Sequence, residues 1–316
     1  MTLPSPAWQH APVMLRKTLL AQGWNDRALA RMISSGEWIR PRRGAYVAAS
    51  TWKALDAAGR HAITTRAVLQ QSKTELVISH SSAMPLYDGP TWGLDLRWVH
   101  GTRVDGKCGR REAGVQQHCG LLLEEDVVER YGVPTMTAAR VGLEVTTVAS
   151  AEAALVAVNH LLHAGHTSLD AMRARYDAGM SYWKGTLSTN VVLRLADPRI
   201  ESVGESRFFY LCYAAGLPAP IPQYEIRDET GRVRARADFA WPELGVFVEF
   251  DGKVKYTKYL RAGETAADAV VREKRREERL VELTGWRCIR VVWSDLEQPD
   301  RLVRRLRGVL AGVPVT

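Results

Sequence analysis

Residues 234–256 read "RARADFAWPELGVFVEFDGKVKY", and the alternation in the second half decides how the C-terminal third folds. Successive side chains of a strand point to opposite faces, so Val246, Val248 and Phe250 share one side and Phe247, Glu249, Asp251 and Lys253 the other. Three of the latter four are charged. Asp238 lies near the end of the preceding extended run, and a hairpin through "PELG" brings it beside the middle of the next strand. Burying several carboxylates together costs on the order of several kcal/mol unless a cation compensates them. Hard divalent ions take oxygen ligands. Clustered acids with a lysine therefore predict metal-assisted phosphodiester hydrolysis, the lysine steadying or deprotonating the attacking water. The competing reading is an edge strand whose solvated charges oppose aggregation. The crowding of Asp238, Glu249, Asp251 and Lys253 onto strands rich in Phe, Val and Ala favours the site.

Upstream, Asp197-Pro198 breaks a helix, and Ser202 or Gly204 precedes a new one that runs through Leu211 and Tyr213 and ends at Gly216 and Pro218. "IPQYEIRD", "VRARADFAW" and "VFVEFDG" read as a three-stranded meander. The charged helix "ADAVVREKRREERLVEL" follows, then the apolar strand "WRCIRVVW". Lys274, Arg275, Arg276 and Arg279 of that helix suit phosphate contacts, while Glu273, Glu277 and Glu278 equally suit i,i+4 pairs on a solvated face. The tail "RLVRRLRGVL" is a basic amphipathic helix expected to pack Leu302, Leu306 and Leu310 on the sheet.

The segments "ESVGESRFF", "ARADFAW", "VFVEFDGKVKY" and "LTGWRCIRVVWSDL" resemble the DUF559-type, Vsr-like branch of the PD-(D/E)XK nuclease superfamily. The resemblance implies a restriction-endonuclease-like α-β-β-β-α-β core with a mixed sheet and an endonuclease dependent on Mg2+ or Mn2+. Carried over, Glu205 is the helix acid, Asp238 the motif aspartate and Glu249 the acid of the third strand. Ala237 replaces the usual Pro, and Asp251 stands where the family keeps its lysine. Either Asp251-Gly252-Lys253 is a shifted triplet or Asp251 is a further ligand. The expected catalytic set is Glu205, Asp238, Glu249, Asp251 and Lys253, with Asp238, Glu249 and Asp251 on the metal. A degenerate nuclease fold that only binds is the alternative.

Near the N-terminus Val13, Leu15, Leu19 and Leu20 recur at helical spacing up to Gly23. Asn25 caps a second helix with Leu29, Met32 and Ile33 inside, closed by Gly36. "EWIRPRRGAYV" then reads as two extended runs about a turn. Helix, helix and basic hairpin predict a winged helix-turn-helix, with Arg40, Arg42 and Arg43 projecting from the wing and Arg27 and Arg31 on the exposed helix face. A small solvated helical domain with a charged turn is the plainer alternative. "LLAQGWNDRALARMISSGEWIRPRRGAYV" is similar to the N-terminal winged-helix domain of AbiEi-type antitoxins. That resemblance implies DNA as a partner, and a cognate toxin or other defence-system protein as another.

The 316 residues exceed what one core supports, and 43 Lys plus Arg against 35 Asp plus Glu give a net charge of +8, favouring a polyanionic partner. The expected architecture is a multidomain α/β chain: a winged helix over 1–50, a mixed, mainly helical connecting region over 51–196, and the nuclease-like domain over 197–316. Cys108, Cys119, Cys212 and Cys288 form neither close pairs nor a dense framework, as expected of a reducing cytoplasm. His100, Cys108, His118 and Cys119 match no common zinc spacing. His80 among Ser79, Ser81 and Ser82 lacks a nucleophile elbow and reads as a structural histidine in a serine-rich cap. His160, His163 and His166 are spaced for one helix face, yet Gly165 interrupts it. No stretch suits a signal peptide or a membrane span.

Overall fold

The computed structural model describes residues 6–107, 109–251 and 280–312. It is a mixed α/β chain with three sheets, divided into two compact units, Met1–Ala196 and Asp197–Thr316. Lys253, Cys108 and the charged-helix residues 273–279 lie outside the described residues.

The first unit opens with β1 (Met14–Leu15), α1 (Arg16–Ala21), α2 (Asp26–Ser34), β2 (Trp38–Arg42) and β3 (Ala45–Ala48), whose strands pair in the order β1-β3-β2. Asn25 accepts the N–H of Ala28 at 2.9 Å and so starts α2. Leu19 and Leu29 bury their side chains against Tyr46, with Trp24, Ile33 and Trp38 around them. After α3 (Ala49–Ala54) comes α4 (Ala57–Gln71). Arg66 of α4 donates to the carbonyls of Trp8 and Ala11 at 3.0 and 2.9 Å, and Ala67 packs with Leu15 and Ala45. These contacts tie residues 8–45 to α4 within one unit.

Beyond α4 the unit builds a six-stranded sheet from β4 (Leu76–Ile78), β5 (Val99–Arg103), β6 (Arg111–Glu112), β7 (Val115–His118), β8 (Val127–Arg130) and β9 (Val133–Met136), with the short α5 (His80–Ala83) after β4. The order is β6-β7-β5-β4-β9-β8, and the β5/β7 and β4/β9 pairs are parallel. Four helices complete the unit: α6 (Ala138–Thr146), α7 (Ala151–His163), α8 (Leu169–Asp177) and α9 (Leu187–Leu195). Helical residues outnumber strand residues in this mixed middle region, and its short strands assemble into this sheet. Its strands are two to five residues long, too short to display the period-2 alternation by which a strand announces itself.

The second unit runs α10 (Val203–Ala214), β10 (Ile221–Arg227), β11 (Val233–Trp241), β12 (Val246–Asp251), β13 (Arg287–Val292), α11 (Trp293–Leu296) and α12 (Pro299–Leu310). Its sheet, ordered β10-β11-β12-β13, is an antiparallel meander closed by a parallel β12/β13 pair. Val246, Val248 and Phe250 join Phe208 and Cys212 of α10 and Leu302, Leu306 and Val309 of α12 in one core. Phe247 belongs to another, with Ala240 and Leu280. The alternation along β12 thus separates two apolar layers.

Gly204, in the first turn of α10, lets the helix reach β12: a Cβ there would sit 2.1 Å from Cε1 of Phe250. Gly204→Ala is expected to destabilise the second unit by about 1–3 kcal/mol through overpacking. Urea unfolding of the variant against wild type measures this, and an unchanged midpoint would show that Phe250 yields freely.

Candidate functional site

The register of the second sheet lines up the polar side chains that the sequence singles out. Pro222 pairs with Phe239 and Tyr224 with Ala237, so Gln223 stands opposite Asp238. Phe239 pairs with Val248, which brings Asp238 level with Glu249 one step further, and Glu249 pairs with Arg290. Gln223, Asp238, Glu249 and Arg290 therefore form a row across four strands. Asp238 and Glu249 are 5% and 6% exposed, and Asp251, at the end of β12, is half-buried.

The β11/β12 ladder stops at Phe239 and Val248, although β12 stays paired to β13 through Asp251. At that opening the Asp238 carboxylate takes over from the backbone, accepting the N–H of Phe250 at 2.8 Å. A buried N–H left without an acceptor would cost about 1–3 kcal/mol. Asp238 thus holds the parting strands together.

Glu205 is buried, but its oxygens are engaged. Ser202 Oγ donates to Oε1 at 2.7 Å, while the Glu201 N–H and Gln223 Nε2 donate to Oε2 at 3.1 and 3.0 Å. Ser202 Oγ in turn accepts the Glu205 N–H at 3.1 Å. Ser202 thus caps α10, and Glu205 reaches back to the N–H just before the cap. Gln223 supplies the link to the row, and its backbone adopts φ +51° within a strand, a left-handed conformation that costs about 1–2 kcal/mol in an ordinary residue. Nothing in the sequence signals Gln223.

The five arginines expected to meet nucleic acid lie on the second helix (Arg27, Arg31), on β2 (Arg40, Arg42) and in the turn after it (Arg43). Arg27, Arg31, Arg40 and Arg43 are exposed, and Arg42 is half-buried, its pKa lowered by burial.

A second constellation surfaces in the first unit. Among the described residues, the set of three or more His, Cys, Asp or Glu that brings one ligand atom each within 4.8 Å of the others is His80, His100 and His118. The carboxylates Glu205, Asp238, Glu249 and Asp251 provide no such set. His100 and His118 lie on the neighbouring strands β5 and β7, where His118 pairs with Thr102, and His100 Nδ1 meets His118 Nε2 at 2.9 Å. The His80 and His118 rings stack with centroids 3.7 Å apart. Burial, reinforced by the neighbouring imidazoles, lowers the pKa of His80 well below the usual range and that of His100 to about 3, while burial alone takes His118 to about 4. All three rings are neutral at pH 7.

Ser79 makes no capping bond to α5, so the serine-rich-cap reading is corrected: its Oγ bonds His80 Nδ1 at 2.9 Å and accepts from Thr102 at 3.0 Å. The His80 N–H donates to Glu144 Oε2 at 3.1 Å. Glu144 in turn accepts from Arg140 Nε at 2.8 Å, and Arg140 Nη1 pairs with Asp126, which Arg175 also holds at 2.5 and 2.8 Å. Two cations and two carboxylates thus balance in the interior. The other histidine group does not converge: His160 Nε2 is spent on the Tyr87 carbonyl at 3.1 Å.

His61, 5% exposed, contacts Ser82 Oγ at 2.8 Å and the Leu96 carbonyl at 3.1 Å, and burial pushes its pKa from 6.5 down to about 4. A folded pKa below the unfolded one means that its contribution is complete above about pH 6.5 and lost as the pH falls towards 4. This amounts to about 3 kcal/mol. The acid-side slope of stability against pH is expected to fall by about one proton in His61→Gln, read from urea midpoints between pH 7 and 4.5; an unaltered slope would place the titration elsewhere.

No helix among the described residues is long and apolar enough to cross a membrane. Cys119, Cys212 and Cys288 are free thiols. Compared with models of known protein families and with curated proteins, the chain matches none of either.

Proposed function

We propose that this chain is a cytoplasmic DNA-binding protein with an N-terminal winged helix, and that residues 197–316 form a PD-(D/E)XK-type domain that hydrolyses phosphodiester bonds. The observation that carries the reading is the pair of buried carboxylates, Asp238 and Glu249, level with each other where β11 and β12 part. Half-buried Asp251 lies two residues on, and the α-β-β-β order with a parallel closing strand accords with the resemblance.

Asp238, Glu249 and Asp251 offer only oxygen, a donor set that fits Mg2+ or Mn2+. Such an ion, when bound, supplies Lewis acidity toward a phosphate oxygen and lowers the pKa of water. Within the chain, the Phe250 N–H fixes the Asp238 carboxylate. Glu205 and Gln223 hold the start of α10 against β10 beside it. Lys253 is assigned its role on the water from the sequence alone.

In the first unit the order β1-α1-α2-β2-β3 with a β1-β3-β2 sheet supports the winged-helix reading. Exposed Arg40 and Arg43 flank the β2/β3 turn, and the net charge of +8 favours a polyanion. Arg40→Ala with Arg43→Ala is expected to weaken duplex DNA binding and to reduce the slope of log K against log salt by about one per lost phosphate contact. Fluorescence anisotropy over a salt series measures it; an identical slope would remove these arginines from the interface.

The deciding test is nicking of supercoiled plasmid by wild type and Asp238→Asn with Mg2+ or Mn2+. Cleavage by wild type alone supports the enzyme, and no cleavage under either ion sinks it. One observation favours a second reading, a non-catalytic DNA-binding regulator on a degenerate nuclease fold. Among the described residues, no three of the site's carboxylates bring their oxygens within 4.8 Å. DNA binding with a footprint at a defined operator and no cleavage would establish that reading instead.

A further inference from the structure

We propose that His80, His100 and His118 form a binding site for one first-row divalent transition ion, with Zn2+ as the reference ion. Each residue offers one ligand atom within 4.8 Å of the other two. The donors are imidazoles without a carboxylate among them, a set that selects zinc, copper, nickel or iron over magnesium. Three protein nitrogens also leave a coordination position for water or an exogenous ligand, as catalytic rather than structural zinc sites do.

Three features separate this cluster from ordinary core histidines. His80 sits at φ +52°, and a non-glycine residue held in that region costs about 1–3 kcal/mol, a strain that concentrates at functional positions. Its imidazole is oriented from behind, with Nδ1 on Ser79 Oγ at 2.9 Å and 3.6 Å from Glu144 Oε2. Metal-ligating histidines are anchored in this way through their second nitrogen, which leaves Nε2 of His80 for a ligand. Finally, the group has a buried and an open side: His80 and His100 are 3% and 7% exposed, whereas His118, at the end of β7, is only half-buried. An ion has a route in past His118.

The three rings form a stack. The His80 and His118 planes are 17° apart, and His118 Nε2 shares a hydrogen with His100 Nδ1. Near-parallel rings cannot both address one ion in plane, so binding turns the His118 ring, the least enclosed of the three, and the shared hydrogen moves to the far nitrogen of the ring that carried it. Cys119, next along the chain, is exposed and outside the set.

The test is titration of the metal-free full-length protein with Co2+ and Zn2+, reading visible d–d absorption and, for Zn2+, competition with a chelating dye. One equivalent per chain is expected with excess Mg2+ present to hold the carboxylates of the second unit. His118→Ala should weaken it about hundredfold or more, and Ser79→Ala about tenfold through lost orientation. Asp238→Asn and His160→Ala should leave it unchanged, which keeps this result separate from that of the phosphodiesterase reading. Substoichiometric binding by wild type overturns the proposal, as does a full equivalent retained by folded His118→Ala. If that variant fails to fold, diethyl pyrocarbonate modification of wild type decides: Zn2+ should protect His118 while excess Mg2+ does not, and equal labelling with and without Zn2+ overturns the site.

Discussion

Replacing Arg140 by Met is expected to destabilise the first unit by about 3–5 kcal/mol, the range for removing one partner of a buried ionic group. Arg140 and Glu144 are fully buried, and Asp126 is 1% exposed. The guanidinium bonds Glu144 at 2.8 Å and the Leu121 carbonyl at 2.8 Å and pairs with Asp126, so its removal takes a donor from three acceptors at once. Arg175 still compensates Asp126, but Glu144 would keep only the His80 side. Burial already raises the Glu144 pKa, with Arg140 opposing. Without that opposition its pKa is expected to rise further, so the variant should lose more stability at pH 8 than at pH 5. Urea unfolding at the two pH values measures both, and a loss below about 1 kcal/mol would show that water reaches the network. Replacing Arg140, Glu144 and Asp126 together by apolar or amide residues should recover much of the loss, since the cost comes from uncompensated charge.

Asp238→Asn is expected to abolish nicking, a drop of about hundredfold or more, comparable to removing one preorganised electrostatic group from a catalytic site. The substitution is chosen because the architecture should survive it. The Phe250 N–H needs an acceptor where β11 leaves β12, and the amide oxygen of Asn supplies one in nearly the same place. Circular dichroism and the urea midpoint should therefore stay close to wild type while activity disappears. Equal cleavage by wild type and variant would sever Asp238 from the chemistry. Glu205→Gln makes a useful contrast: with Ser202, the Glu201 N–H and Gln223 on its oxygens, its first effect should be weaker acceptance from those three donors, a loss of about 1 kcal/mol, while Ser202 still caps α10.

The sequence by itself determined the features whose cause is local. Asn25 and Ser202 were legible as caps because an N-cap side chain bonds a backbone N–H three residues on. The alternation from Val246 to Asp251 was legible because the pleat has a period of two, and with it the level placement of Asp238 and Glu249. Lys253 stays a reading of the sequence alone. What only the tertiary structure decided depends on pairings that no local signal encodes. His80, His100 and His118 meet because β5 pairs antiparallel with β4 and parallel with β7, and strands of three to five residues carry too few side chains to announce that order. Gln223 finds Glu205 through a left-handed backbone that its residue type does not suggest. Arg140 looks in sequence like any charge on an amphipathic helix; burial on every side, with Glu144 one turn on along its own helix and Asp126 brought to it from another element, turns it into the charge on which the first unit's interior depends.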